Sequence, residues 1–404
     1  MYPELTIIAL SILVYSVIAG RIDQLPVSGP ILFVLTGLIV SPLAIGFFDM
    51  QVNGEHLRTL VELALALVLF TDASKTNLRS LEHNKKLPLR LLLIGLPLTI
   101  VAGVISGYFI FEGFLWVELA IIATILAPTD AALGKVVVTN QRVPSNIREA
   151  LNVESGLNDG ISVPVLFLLI AISEATTVGD ISIQYGVGLF LREIGVGLLV
   201  GLGITYICDW LIQFSISRNW VEDTWKTVVI VALAFSVFSI AQLMGGSGFI
   251  ACFTGGVLYG SINKKNKGKL LIAAEGAGDS LSLVTWMIFG ALVVAAYLPH
   301  FTWSVILYAI LSLTVVRIIP VMISMLKAGL SVKQQMFIGW FGPRGLASIV
   351  FAIIIIDIEL PHRETIILTV VCTILLSVLA HGFTANPLTK LLAKTNKTQK
   401  TTVK

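Results

Sequence analysis

Apolar stretches of about twenty residues succeed one another from residue 4 to residue 389, divided by short polar turns. Each is long enough to cross a ~30 Å hydrocarbon layer as a helix. Thirteen such spans can be drawn, at about 4–20, 28–48, 56–73, 88–111, 115–139, 149–173, 184–213, 224–243, 247–262, 280–298, 303–326, 336–357 and 364–389. Polar residues or Gly and Pro interrupt the fifth, sixth, ninth and twelfth. The pattern predicts an all-α polytopic membrane protein, with residues 1–392 as one transmembrane domain and 393–404 as a short basic tail.

Composition and charge sharpen this picture. Hydrophobic residues make up 56% of the 404 and charged residues only 13%, where a soluble domain carries about 25% charge. Mean hydropathy is +0.92, so the bilayer is the expected solvent. Of the 27 Lys and Arg, 22 follow odd-numbered spans. Only Arg58 and Arg363 follow even-numbered ones, and Arg192, Arg317 and Arg344 lie within spans. Basic residues collect on the cytoplasmic side, so the N-terminus is expected outside and the C-terminus in the cytoplasm. One span more or fewer would scramble the alternation. Met1 to Glu4 lacks the basic segment of a cleavable signal peptide. Cys208, Cys252 and Cys372 fall in apolar runs without metal or redox spacing and read as packing residues. Nothing calls for a bound cofactor or a nucleic-acid partner.

Two interruptions occupy matching places. The fifth span carries Pro128, Thr129 and Asp130 in its middle, and the twelfth carries Gly342, Pro343, Arg344 and Gly345. Proline removes a backbone N–H and crowds the preceding turn, so both helices should break there. Backbone freed at that depth is tolerated only inside protein or around a wet cavity. The breaks are seven spans apart, an odd number, so the two helices run in opposite directions. That is the signature of an inverted-topology repeat, spans 1–6 against 8–13 with span 7 as connector, and in transporters such breaks mark the ion site.

Ionisable residues within spans are costly, about 2.5–3.5 kcal/mol at the membrane centre. The string ESGLND places Glu154 and Asn158 one turn apart, and Ser155 and Asp159 likewise. Counted from Arg148, Asp159 lies roughly 16 Å deep, and Asp130, counted from Arg142, roughly 18 Å. Two carboxylates, hydroxyls and broken-helix carbonyls form an all-oxygen shell suited to a hard monovalent cation. Neighbouring carboxylates withdrawn from water also take up protons readily, so cation and proton would compete for one site. Asp130 can in addition cap the second half-helix. A third ionised carboxylate, Glu154, needs a counter-ion: Arg317 is the first choice and Arg344 the alternative. Asp72, at the end of span three, lines an access path or is a solvated end residue. Glu62, Arg192, Glu193 and Asp209 carry no assigned chemistry, and the five histidines form no cluster.

Taken together, APTDAALG (127–134), ESGLNDG (154–160), GSGFIACFTGGVLYG (246–260) and GPRGLAS (342–348) resemble the monovalent cation–proton antiporters of the NhaP and NHE type, along essentially the whole chain. The resemblance implies a dimer-interface bundle (about 1–75 and 184–298) and a moving core bundle (about 88–173 and 303–389) whose broken helices cross. It makes Asp159 the essential cation and proton carboxylate, with Thr129, Asp130 and Ser155 as further Na+ ligands. It pairs Glu154 with Arg317, gives Arg344 the task of balancing the broken twelfth helix, and associates Asn158 with electroneutral exchange. Asp72 stands near the place where a Glu is common. The expected activity is exchange of Na+, and also Li+, for H+ by a homodimer in a prokaryotic plasma membrane, since the long tail of the animal members does not follow residue 404. The alternative cargo is K+. An intramembrane aspartyl protease built on Asp130 and Asp159 is the rival from another class; GLND at 156–159 lacks the second glycine of its usual context, and it leaves the paired breaks unexplained. A channel would need a repeated carbonyl filter, which the sequence does not contain.

Overall fold

The computed structural model describes residues 2–22, 27–46, 54–75, 86–130, 133–177, 183–263, 267–356 and 358–402. Arg79, Lys85, Lys264 and Lys265 of the basic turns, and Ala131 and Ala132 of the fifth-span motif, lie outside the described residues. Among the described residues every regular element is helical. The principal helices are α1 (Tyr2–Ile22), α2 (Gly29–Val40), α3 (Gly54–Lys75), α4 (Lys86–Ile110), α5 (Trp116–Ile125), α6 (Ser145–Thr177) and α7 (Ile183–Ser217). They continue with α8 (Asp223–Leu243), α9 (Gly248–Ile262), α10 (Lys267–Ile288, running on through a π-helical turn Phe289–Val294), α11 (Trp303–Ser324), α12 (Val332–Trp340), α13 (Leu346–Ile356) and α14 (Arg363–Thr402).

Eight of these are long and apolar enough to cross a bilayer: α1, α4, α6, α7, α8, α10, α11 and α14. The shorter apolar helices α2, α5, α9 and α13 fall in the second, fifth, ninth and twelfth spans of the sequence pattern. Lipid-like surroundings explain their surfaces. Leu10, Leu13, Val14 and Val17 of α1 are all exposed, as are Trp116 and Trp303 at the first residues of α5 and α11; tryptophans at helix ends suit the headgroup boundary.

The chain divides into two compact units. The first comprises residues 1–51, 84–158 and 283–404, and the second 52–83 and 159–282. In the first, Leu91, Ile147, Val321, Ile338 and Phe341 anchor an apolar cluster joining α4, α6, α11, α12 and α14. Glu118, wholly buried near the start of α5, accepts the backbone N–H of His362 at 2.9 Å and lies 3.0 Å from its Nδ1, which ties α5 to the turn before α14. The eleventh span, expected to be continuous, is interrupted at Thr314, where φ is −113° and ψ −92°. The Thr314 hydroxyl donates to the Ile310 carbonyl at 2.6 Å, a side-chain bond that competes with the helix ladder and bends it.

In the second unit α9 lies against α3 so closely that a Cβ at Gly256 or Gly260 would meet the carbonyls of Phe70 and Ser74. Such backbone approach is how small residues join helices where the hydrophobic effect is weak. Asp209 of α7 is buried and accepts hydrogen bonds from the side-chain amides of Asn263 and Gln213.

Candidate functional site

The first unit holds both broken helices, and their breaks touch. α5 ends at Ile125 and residues 127–130 are in no helix; α12 ends at Trp340 and α13 begins only at Leu346. The Asp130 backbone N–H donates to the Pro343 carbonyl at 2.8 Å. Ser348 Oγ, from the first turn of α13, donates to Ile125 O at 2.7 Å. Each break thus supplies partners that the other's interrupted ladder lacks, as backbone at membrane depth requires.

Two charges complete the crossing. Asp130 Oδ2 accepts the backbone N–H of Leu346 at 2.9 Å and Oδ1 that of Leu133 at 3.1 Å. Its negative charge therefore stands at the partially positive start of α13. Arg344 does the converse at a helix end of opposite polarity. Its Nη1 donates to Ala127 O at 2.7 Å and Pro128 O at 3.3 Å, the carbonyls freed beyond α5, and its Nη2 to Ser312 O at 3.2 Å, beside the break in α11. The arginine of the twelfth span thus serves the carbonyls of the fifth and eleventh. Gly345 is where the approach is tightest: a Cβ there would run into the Asp130 carboxylate.

Beside the crossing runs a string of polar groups from α6. Asn158 Nδ2 donates to Thr129 Oγ1 at 2.7 Å, and Thr129 Oγ1 lies 3.0 Å from Ser155 Oγ. One turn before Asn158, Glu154 Oε1 meets Arg317 Nη2 at 2.6 Å, both side chains 1% exposed. The contact is ionic and off the angle of a hydrogen bond. Arg317 Nε and Nη1, Glu154 Oε2 and Asn158 Oδ1 are buried with no hydrogen-bond partner among the described residues. Buried polar atoms are normally satisfied, so four such atoms in one place suit a polar ligand or ordered water.

Of the residues singled out in the sequence, the first unit brings together Thr129, Asp130, Glu154, Ser155, Asn158, Arg317 and Arg344. Asp159 follows Asn158 on α6, half-buried, as the first residue of the second unit. Asp72 belongs to the second unit as well and bonds Lys75 at 3.3 Å, which also approaches Glu275 at 3.6 Å. Burial opposes the charge of Lys75, but Asp72, Glu275 and Asp279 outweigh it and raise its pKa. Sequence reasoning assigns no role to Ser312, Ser348, Ser377 or His381. Ser377 and His381 are one turn apart in the hydrophobic part of α14, a spacing that could have marked them; partners that are backbone carbonyls leave no such signal.

Over residues 7–391 the chain matches the family described as sodium/hydrogen exchanger, transmembrane. It is similar to the K(+)/H(+) antiporter NhaP of Alkalimonas amylolytica, with 23% identity covering 96% of this chain and 67% of that one. It is also similar to the Na(+)/H(+) antiporter ApNhaP of Aphanothece halophytica, at 25% identity over 93% and 71%. With the K(+)/H(+) antiporter NhaP2 of Shewanella sp. (strain ANA-3) it shares 22% identity and spans 55% of that protein's length. The solved structure of the sodium proton antiporter MjNhaP1 from Methanocaldococcus jannaschii has the same fold, with a TM-score of 0.74 at 19% identity, covering 94% of this chain and 98% of that one.

Proposed function

The chain belongs to the sodium/hydrogen exchanger family, whose members are secondary transporters and not enzymes, and from that premise we propose that it exchanges a monovalent cation for protons by alternating access. One observation carries this reading: two broken helices cross in the first unit, and the ionised groups Asp130 and Arg344 answer helix ends of opposite polarity there. Such a crossing gives a cation oxygen ligands at membrane depth without exposing backbone to lipid. Asp159 is the carboxylate at which cation and proton compete. The resemblance assigns Thr129, Ser155 and Asp130 as its fellow ligands, with Asn158 fixing the Thr129 hydroxyl. The Glu154–Arg317 pair holds α6 to α11, and Asp72 belongs to an ion cluster with Lys75.

Na+ is the proposed cargo, with Li+ beside it. K+ is the second reading, because the chain is similar both to a relative named as a K(+)/H(+) antiporter and to one named as a Na(+)/H(+) antiporter. The working unit is proposed to be a homodimer in a prokaryotic plasma membrane, N-terminus outside, with spans grouped into an interface bundle and a moving core. The test is proton release from everted vesicles on adding Na+, Li+ or K+ between about pH 6 and pH 9, a range over which a shifted carboxylate titrates. Asp159→Asn should insert normally and release no protons with any cation, because an amide neither balances a cation nor carries a proton. Retained exchange in that variant would overturn the assignment.

A further inference from the structure

The end of α12 poses a problem that the crossing itself does not solve. A helix terminus leaves carbonyls without intrahelical partners, and at membrane depth no water is at hand. The Trp340 carbonyl is the last of α12 and accepts Gly342 N–H at 2.8 Å. It is also 2.8 Å from Nε2 of His381, whose ring is 2% exposed and comes from α14. On the other side of the break, the Arg344 backbone N–H donates to Ser377 Oγ at 2.7 Å. Ser377 Oγ in turn lies 3.1 Å from His381 Nδ1.

The Arg344 end of this chain has a fixed direction. A backbone N–H can only donate, so Ser377 Oγ accepts from Arg344 and its own proton is available for Nδ1. With Nδ1 accepting that proton, a neutral ring carries its own on Nε2, aimed at Trp340 O. The alternative is also visible: Nδ1 stands 2.8 Å from Ser377 O, the contact that a doubly protonated ring would use. Among the described residues the charges acting on the ring are those of Arg344 and of Arg317, the latter paired with Glu154, and double protonation would add a further cation beside Arg344. Trp340 is tied to α14 a second time, its Nε1 donating to Thr384 Oγ1 at 2.9 Å.

We propose that His381, neutral and protonated on Nε2, is a positioning residue for exchange: with Ser377 it bolts both sides of the α12–α13 break to α14, and so fixes where Arg344 and the Leu346 N–H stand against Asp130. The transport consequence rests on the exchange reading above; the tautomer does not. The first test is therefore nitrogen NMR on the full chain in liposomes with ¹⁵N-labelled histidine rings, the His381 signals being assigned as those lost in His381→Gln. One protonated and one bare ring nitrogen, the proton on Nε2, is the expected result. Protons on both nitrogens, or on Nδ1 alone, overturn the proposal.

The second test is cation-driven exchange. His381→Leu and Ser377→Ala should each raise the apparent KM for the cation about tenfold with a smaller change in maximal rate, and the double variant should be no worse than His381→Leu, since both cut one chain. His381→Gln keeps an N–H for Trp340 and an oxygen for Ser377, and should restore KM to within about threefold of the parent. An unchanged KM in His381→Leu, a glutamine that behaves as leucine, or additive losses would each overturn it. Parent protein that exchanges no cation would sink the exchange reading, and the nitrogen spectrum would still decide the tautomer.

Discussion

Glu154 and Arg317 are ionised side chains almost wholly out of water, 2.6 Å apart. Removing one partner strands the other charge, at a cost of about 3–5 kcal/mol. Glu154→Gln and Arg317→Met are each expected to lower the thermal midpoint of the purified protein and its yield, and the double change to apolar residues to recover part of the loss. A double variant as damaged as the worse single would show that the pair does more than satisfy itself. The sequence names this pair through depth and charge alone, and leaves Arg344 open as the partner. Geometry separates the two arginines because Arg344 is consumed by the carbonyls of Ala127, Pro128 and Ser312. Those acceptors are backbone atoms exposed by two helix breaks, so no residue type at 127, 128 or 312 could announce them. Ser377 and His381 receive no role from the sequence for a related reason: their partners are a carbonyl and an N–H at a break whose exact shape the sequence does not show.

At the scale of elements, the prolines make the breaks in the fifth and twelfth spans legible, since a missing N–H is written in the residue itself. The break at Thr314 is not legible, because a threonine back-bonding to Ile310 is common in unbroken helices too. Nor do the residues by themselves show the contact between the breaks, a crossing that only the family resemblance implies and that depends on Gly345 having no side chain. Gly345→Ala would push a methyl into the Asp130 carboxylate, and overpacking of this kind costs about 1–3 kcal/mol. The expected result is a lower thermal midpoint together with loss of cation-driven proton release, as Asp130 is levered off the start of α13. Gly203→Ala is the control: nothing lies within 4 Å of where its methyl would stand, on the exposed face of α7. There the gain in helix propensity, up to ~1 kcal/mol, should leave the midpoint unchanged or raised. If both alanines behave alike, the close approach at Gly345 is not what organises the crossing.

For the molecule as a whole, the decisive quantity is how much charge moves in one transport cycle. Asn158 is neutral, and neither Arg317 nor Arg344 releases a proton in a protein. The lysines lie in the turns, in the tail or, as Lys135 and Lys226 do, within a few residues of a span's end on the side that the sequence assigns to the cytoplasm, so none is expected at the membrane centre to carry a second proton. Asp130 remains, but its two oxygens already accept the backbone N–H groups of Leu133, in the turn after the break, and of Leu346, at the start of α13. A proton added there would displace one of those bonds and leave a helix end unbalanced. On that reading Asp159 is the single carboxylate that cycles, one proton for one cation, and electroneutral exchange is the expected outcome. In sealed proteoliposomes with no pH or Na+ gradient, a K+ diffusion potential set by valinomycin should therefore drive no uptake of Na+. An imposed pH gradient across the same vesicles should drive it fully, and equally whether or not the voltage is clamped at zero. Uptake that follows the voltage would mean that Asp130 also releases its proton during turnover, and the helix-end role argued for it from the crossing would have to be given up.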